Sequence, residues 1–332
     1  MIYDITVIGG GPSGATAAEQ LSKKGFKVAL IDRAGRIKPC GGAIPPRLIE
    51  DFEIPQSQLV AKIKTARMIS PTSRKVDIPI ENGYVGMVDR EFFDEYLRER
   101  AAKCGAKRFT GTFVKLYKNS EYTKVDFNNH STKKISTLLT RYVIGADGAK
   151  SNVARSTIKD AHKIPFVIAY HEIIEAPKAT SDYNPDRCDV IYNGDISPDF
   201  YGWVFPHGKS ASVGMGTGLN SVNLKKATSD LRIKAGLDQC TTIRKEGAPI
   251  PLKPLEKWDN EDNVVLAGDA AGVVAPSSGE GIYYAMIGGK YAADAVEKCL
   301  LHGHSKYLAL ARKNFMREHK AVFQVLGAMQ NA

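Results

Sequence analysis

Hydrophobic and polar positions change period several times along this 332-residue chain. The first apolar run, Ile5 to Ile8, is short and β-branched, as a buried strand requires. It enters a turn carrying Gly9, Gly11 and Gly14, and a helical pattern follows. A second apolar run, Val28 to Ile31, ends at Asp32. Strand, glycine turn, helix and strand make a nucleotide-binding unit. Gly9 permits the tight turn, Gly11 lets backbone approach a pyrophosphate, and Gly14 lets helix and strand pack closely. The helix then presents free N–H groups and its positive end to phosphate, and Asp32 stands where a carboxylate accepts a ribose hydroxyl.

The segment after Arg33, GRIKPCGGAIPPRL, is too rich in glycine and proline for regular structure and is predicted as a loop near the cofactor. Residues 61–88 read as short strands. A helix is expected from Asp89, its N-cap, to a stop at Gly105, burying Phe92, Phe93, Tyr96 and Leu97. Lys107 to Lys118 and Tyr122 to Phe127 alternate like strands. Tyr142 to Ile144 reads as a short buried strand ending in Gly145-Ala146-Asp147-Gly148. From about Pro165 to Pro251 strands predominate, which predicts a largely antiparallel sheet. The α/β pattern returns at Asn263, with NVVLAGDAAG as strand and turn and GEGIYYAMIGGKYAADAVEKCL as a long helix. Residues 314–330 place Phe315, His319, Val322, Leu326 and Met329 on one helical stripe, expected to pack on the protein, with a membrane surface as the alternative.

The expected class is therefore α/β, α+β overall: a Rossmann-type domain from 1–60, 84–164 and 256–300, and an antiparallel-sheet substrate domain from 61–83 and 165–255. Residues 301–332 are expected as C-terminal helices.

Composition changes this picture little. Apolar residues make up 43% and charged residues 25% of the chain, ordinary for a globular protein. No cationic n-region and no bilayer-length apolar run is seen, so a cytoplasmic protein is expected. Five separated cysteines read as reduced thiols. Cys299, His302 and His304 lack a fourth ligand, so no metal is expected. The net charge of +10 is spread along the chain, which speaks against nucleic acid. It suits an anionic membrane face, a diphosphate-bearing substrate or a merely solvated surface. A second glycine run, Gly214 to Gly218, is followed by SVNLKKATSD, a poor first helix, so no second nucleotide domain is expected.

Three separated pieces, the GxGxxG unit, GADG at 145–148 and LAGDAAG at 266–272, resemble the flavoprotein hydroxylase and reductase superfamily. The resemblance implies FAD, held by Gly9, Gly11, Pro12, Ser13, Gly14, Asp32 and Arg33 from the first unit. It adds Gly41, Gly42 and Ala43 from the following loop, then Arg90, Val114 and Asp147. Gly268 and Asp269 match the superfamily's GD motif, and Gly279, Glu280, Gly281 and Ile282 follow it. A buried aspartate at Asp269 would accept ribityl hydroxyls, while Asp147 is expected chiefly to hold its own turn.

Within that superfamily, Pro198, Tyr201, Trp203, Phe205 and Pro206 fill PxxYxWxFP, and Cys40-Gly41-Gly42 and Ser278 to Tyr284 add two further matches. Together these look like the geranylgeranyl reductases, closest to the (bacterio)chlorophyll branch. Chains of that branch continue past the MREH helix, so a shortened chain is expected. The resemblance implies reduction of isolated C=C bonds in a geranylgeranyl chain, as diphosphate or pigment ester. An alkene has no carbonyl to polarise, so hydride from reduced flavin must be matched by a proton at the other carbon. Aromatic faces at Tyr201 and Trp203 would stabilise the positive charge that builds there. Pro198, Phe205, Pro206 and Tyr283 would line the prenyl slot. Cys40 is the candidate proton donor, since a thiol's ordinary pKa, about 8.5, leaves it mostly protonated at neutral pH. NADPH or reduced ferredoxin would supply electrons, and a peripheral contact with the inner face of a photosynthetic membrane is open. The competing readings are a flavin monooxygenase or halogenase, an archaeal-type prenyl-lipid reductase, and a non-catalytic flavin or prenyl-pigment carrier.

Overall fold

The structure is a computed structural model; it describes every residue except Ala34, Arg36, Asn82, Ser120, Ser181, Asn331 and Ala332, and the side chain of Gln330. The chain opens with β1 (Ile2–Ile8), α1 (Pro12–Lys23) and β2 (Val28–Asp32). Then come β3 (Ala43–Ile44), α2 (Pro46–Asp51), β4 (Ala61–Ile63), β5 (Thr65–Ile69), β6 (Lys75–Pro79) and β7 (Val85–Met87). The helix α3 (Arg90–Lys103) leads to β8 (Lys107–Lys118), β9 (Thr123–Asn129), β10 (Lys134–Gly145) and α4 (Asn152–Thr157). A strand-rich stretch follows: β11 (Phe166–Glu175), β12 (Arg187–Ile191), β13 (Gly202–His207), β14 (Ser210–Thr217), α5 (Leu224–Lys234) and β15 (Thr242–Pro251). The chain closes with β16 (Val264–Leu266), α6 (Ile282–His302) and α7 (Leu310–Gln330).

Two compact units result, one from Met1–Arg36, Asp94–Pro165 and Pro251–Ala332, the other from Ile37–Phe93 and Phe166–Ile250. The division moves 37–60 and 84–93 out of the expected nucleotide domain, because β3 and β4 both pair with β7. It joins the C-terminal helices to the first unit, where α7 packs on α6 through Tyr284, Phe315 and Phe323.

The first unit is built on parallel strands in the spatial order β8, β2, β1, β10, β16. Val28, Ala29, Leu30 and Ile31 are buried on both sides, as a sheet covered on two faces demands. The chain moves from β1 outward through β2 to β8, then crosses to β10 and β16 on the other side. The reversal lies between β1 and β10, where open α/β sheets bind ligands. The strand expected at 142–144 is the end of a much longer β10, whose first half pairs with β9. That half is largely exposed or half-buried and mixes Ile135, Leu138 and Leu139 with polar residues, so periodicity alone did not reveal it.

The second unit holds a seven-stranded sheet, ordered β15-β11-β14-β13-β12-β5-β6, and a three-stranded sheet of β3, β7 and β4. The larger sheet is antiparallel at β11–β14, β14–β13, β13–β12 and β5–β6, with β12 and β5 parallel. α5 covers one face, packing Ala227 and Leu231 on Ile174, Val204, Val213 and Met215. The stretch read as a poor helix thus forms one, capped by Asn223, whose side chain accepts from Lys226 N–H at 3.1 Å.

Two expected faces need correction. Phe92 is 67% exposed, because the buried stripe of α3 runs through Phe93, Leu97 and Ala101 at i, i+4 spacing and passes it by. In α7 the buried stripe is Ala311, Phe315, His319 and Phe323, again four apart, which leaves Val322 and Met329 exposed.

Candidate functional site

In the first unit the chemistry-bearing segments stand at the carboxyl ends of the parallel strands. Gly9 leaves β1 at φ +103°, and a Cβ there would lie 2.2 Å from the Ala146 carbonyl oxygen. A Cβ on Gly14 would lie 1.9 Å from the Gly9 carbonyl oxygen, while one on Gly11 would meet nothing within 4 Å. The turn is thus closed on its protein side and open beyond Gly11. Gly11 caps α1 without a side-chain hydrogen bond, so the first N–H groups of the helix face that open space.

Asp32 accepts the Gly10 N–H at 2.7 Å through one oxygen, and Arg98 lies 3.5 Å from the other. The carboxylate therefore braces the glycine turn from the end of β2. Asp32→Ala removes a charged acceptor, and roughly tenfold or greater weakening of flavin binding is expected. Flavin titration of the refolded apoprotein checks this, and unchanged affinity would refute it.

Asp147 accepts from Ser151 Oγ, from Asn152 N–H at 2.7 Å and from Val153 N–H at 3.3 Å, holding the turn into α4 as expected. Burial pushes its pKa up, with those donors opposing the rise. Asp269 follows β16 on a short helical turn and is half-buried rather than buried. Gly268 and Gly289 admit close packing: a Cβ on the first would lie 2.8 Å from Ser13 Cβ, and one on the second 2.2 Å from the Ser13 carbonyl oxygen. Gly289 belongs to the long helix and carried no sequence signal beyond a Gly-Gly pair. Arg33 and Val114 are exposed.

Ser13 Oγ and Glu280 Oε1 are buried without a hydrogen-bond partner. Burial alone raises Glu280 from 4.5 to about 7. Folded and unfolded chains then differ in bound protons between those values, the folded chain holding more. Stability contributed by the protonated carboxyl is intact below about pH 4.5 and is lost as pH rises toward about 7. In the flavin-free protein, Glu280→Gln is expected to match the wild-type Tm at pH 4 and exceed it by roughly 3 °C at pH 8. The same offset at both pH values would contradict the raised carboxyl.

In the second unit, Trp203 and Phe205 alternate along β13, Tyr201 stands directly before it, and the pair on the strand faces away from α5, which packs on Val204. Tyr192 to Tyr201, Tyr201 to Trp203 and Trp203 to Phe205 are separated by 6.2, 6.0 and 6.2 Å between ring centroids. Phe200 stacks on Tyr201 at 4.3 Å. Burial pushes the Tyr201 hydroxyl up, with Tyr192 and Cys40 adding to the shift. The Cys40 loop ends this row: a Cβ on Gly41 would lie 3.1 Å from the Phe205 ring. Gly42 has φ +71°, and a Cβ there would come within 2.6 Å of His207 Nε2. Gly42 accepts Val88 N–H at 2.8 Å, and Cys40 Sγ accepts Gly42 N–H at 3.4 Å. Ala43 begins β3 directly after, so the loop is pinned on both sides.

Other expected positions fall elsewhere. Pro206 is buried on the opposite face of β13, since successive strand residues alternate sides. Pro198 is exposed in the loop before that strand. Tyr283 is buried in the first unit, edge-on to Tyr284 at 5.4 Å. Arg90 is 6% exposed, which excludes a surface ion pair as its role. The glycine run at 214–218 serves the aromatic row: a Cβ on Gly214 would lie 2.6 Å from the Trp203 ring, and one on Gly216 2.7 Å from Phe200. His171, Ser212 and Glu246, beside Trp203 across neighbouring strands, carried no motif and became visible only through strand pairing. Among the described residues no cluster of three His, Cys, Asp or Glu suits a metal, and no helix is long and apolar enough to cross a membrane.

Residues 3–163 match the FAD binding domain family. A geranylgeranyl diphosphate reductase of Rhodobacter capsulatus is 62% identical over 331 residues, covering 100% of this chain and 84% of that protein. A chloroplastic geranylgeranyl diphosphate reductase of Arabidopsis thaliana is 40% identical, covering 88% of this chain and 65% of that longer protein. A geranylgeranyl bacteriochlorophyll reductase-like protein of Thermoplasma acidophilum superposes with a TM-score of 0.91 at 23% identity, over 99% of this chain and 87% of that one, and so shares the fold. The first unit fits an FAD: an uncapped helix start for the phosphates and two buried polar atoms without protein partners.

Proposed function

This chain belongs to the geranylgeranyl reductase family, and from that premise we propose that it reduces isolated C=C bonds of a geranylgeranyl chain carried on a diphosphate or on a (bacterio)chlorophyll ester. The observation that carries this reading is the row of Tyr192, Tyr201, Trp203 and Phe205, with the Cys40 loop at its end. Such a row offers a prenyl chain an apolar wall of π faces and brings no base that would quench a developing cation.

The first unit is assigned the cofactor and the second the prenyl chain. Gly9 to Gly14 and the start of α1 would hold the pyrophosphate, Asp32 the ribose side, Asp269 the ribityl chain, and Ser13 and Glu280 further polar atoms of the flavin. Reduced FAD supplies a hydride when bound. Tyr201 and Trp203 face the carbon where positive charge builds, and the buried Tyr201 phenol stays neutral at any working pH because burial raises it. Cys40 delivers the proton to the other alkene carbon. NADPH or reduced ferredoxin re-reduces the flavin, and the basic chain meets its lipidic substrate peripherally at an anionic membrane face.

The test offers geranylgeranyl diphosphate and geranylgeranyl-bacteriochlorophyll separately to the flavin-loaded protein under anaerobic reduction. A mass gain of two hydrogens per bond is expected. Binding without that gain would identify a carrier, and an oxygen-dependent hydroxylated product a monooxygenase.

A further inference from the structure

Beside the aromatic row, on the same face of the sheet, lies a buried polar chain spanning the four strands β13, β14, β11 and β15. Trp203 Nε1 donates to Ser212 Oγ at 3.0 Å, and Ser212 Oγ lies 2.8 Å from His171 Nδ1. His171 Nε2 lies 3.1 Å from Glu246 Oε2, an ion-pair distance without the alignment of a hydrogen bond, and Arg244 bonds the other oxygen of that carboxylate. His171 is 2% exposed and Ser212 not at all.

The direction of the chain follows from its end members. An indole N–H only donates, so Ser212 Oγ accepts from Trp203 and turns its own hydrogen toward His171. Burial opposes charge on Glu246, but His171 and Arg244 outweigh it and hold the carboxyl below its usual range. With the Glu246 carboxylate 3.1 Å from Nε2, the tautomer that carries its proton on Nε2 is the electrostatically favoured one, and in it Nδ1 accepts from Ser212. Gly214 makes the arrangement possible. It pairs with Trp203 on one side and with His171 on the other, and a Cβ there would lie 2.4 Å from His171 Cβ.

We propose that Ser212 and His171, anchored by Glu246, are positioning residues that hold the Trp203 indole in one orientation on the substrate-facing side of the sheet. The role rests on the reductase reading, in which Trp203 faces the reacting prenyl unit. A tryptophan held only by packing has two-fold freedom about its second torsion. A tryptophan whose N–H is tied to Ser212 presents one face only, so the relay selects which part of the alkene meets the π system. His171 and Ser212 touch neither substrate nor flavin; they act through Trp203.

The test uses the flavin-free chain labelled with ¹⁵N at indole. It has two tryptophans, Trp203 and Trp258, and Trp203→Phe assigns their signals. Ser212→Ala and His171→Leu are each expected to shift the Trp203 N–H signal and speed its hydrogen exchange at least about tenfold, the protection of one buried bond. His171→Asn places an amide oxygen about where Nδ1 sits, keeps an acceptor for Ser212 and is expected to restore most of the protection. In the loaded enzyme the first two variants should lower kcat roughly five- to tenfold with KM within about twofold. An unmoved indole signal in both Ser212→Ala and His171→Leu overturns the relay, as does a loss carried by KM alone. A moved indole signal with no C=C reduction, even in the wild type, supports the relay and sinks the reductase reading.

Discussion

Gly14→Ala is expected to yield a chain that purifies without flavin and melts well below the wild type. The added Cβ would sit 1.9 Å from the Gly9 carbonyl oxygen, a backbone atom that cannot rotate away. Gly9 in turn abuts the Ala146 carbonyl, so the strain spreads across the junction of β1 and β10. Overpacking of this kind costs about 1–3 kcal/mol, and more where only backbone can yield. Gly11→Ala is the control. Its Cβ would meet no protein atom within 4 Å, so the apoprotein should keep its Tm. That Cβ would project into the space left open for phosphate, and affinity for FAD should fall all the same. Absorbance at the flavin band and thermal denaturation of both variants separate the two effects. Flavin occupancy at the wild-type level in Gly14→Ala would refute the account of the turn.

Cys40→Ala is expected to keep FAD and Tm while turnover falls about a hundredfold, the usual value of a placed proton donor. The side chain is half-buried, and its removal costs the loop only the weak Gly42 N–H bond to Sγ, leaving the φ of Gly42 and the bond from Val88 N–H. The neighbours leave few other donors. Burial raises the Tyr201 phenol, which parts with its proton reluctantly, and burial lowers His207, which is neutral at working pH. Single-turnover oxidation of reduced flavin by geranylgeranyl diphosphate measures the step directly. Unchanged turnover would remove Cys40 from the mechanism.

What was legible depended on the range of the interaction. Gly9, Gly11, Gly14 and Asp32 lie within one short βαβ unit whose geometry is locally determined, and their spacing sufficed to locate the cofactor cradle. Asp147 was likewise legible, because it bonds to residues within six positions of itself. Pro206 lies on the face of β13 opposite Trp203 and Phe205, because successive strand residues alternate sides and the PxxYxWxFP string does not record faces. Phe92 was misread because three adjacent turns of α3 offered two plausible apolar stripes. The glycine run at 214–218 looked like a candidate nucleotide loop until strand pairing set Gly214 and Gly216 beneath aromatic rings.

Sequence alone determined the family, the cofactor class, and the fact that nucleotide-binding segments from both ends of the chain flank a sheet-rich insertion. Those features rest on local turn chemistry and on motifs read within a few residues. Tertiary structure decided what surrounds them. It placed the Cys40 loop with the antiparallel unit, since β3 pairs with β7. It joined Trp203, Ser212, His171 and Glu246 across strands separated by up to 75 positions in sequence. Contacts of that range are specified by strand register and by the burial of whole faces, which no short window of sequence records.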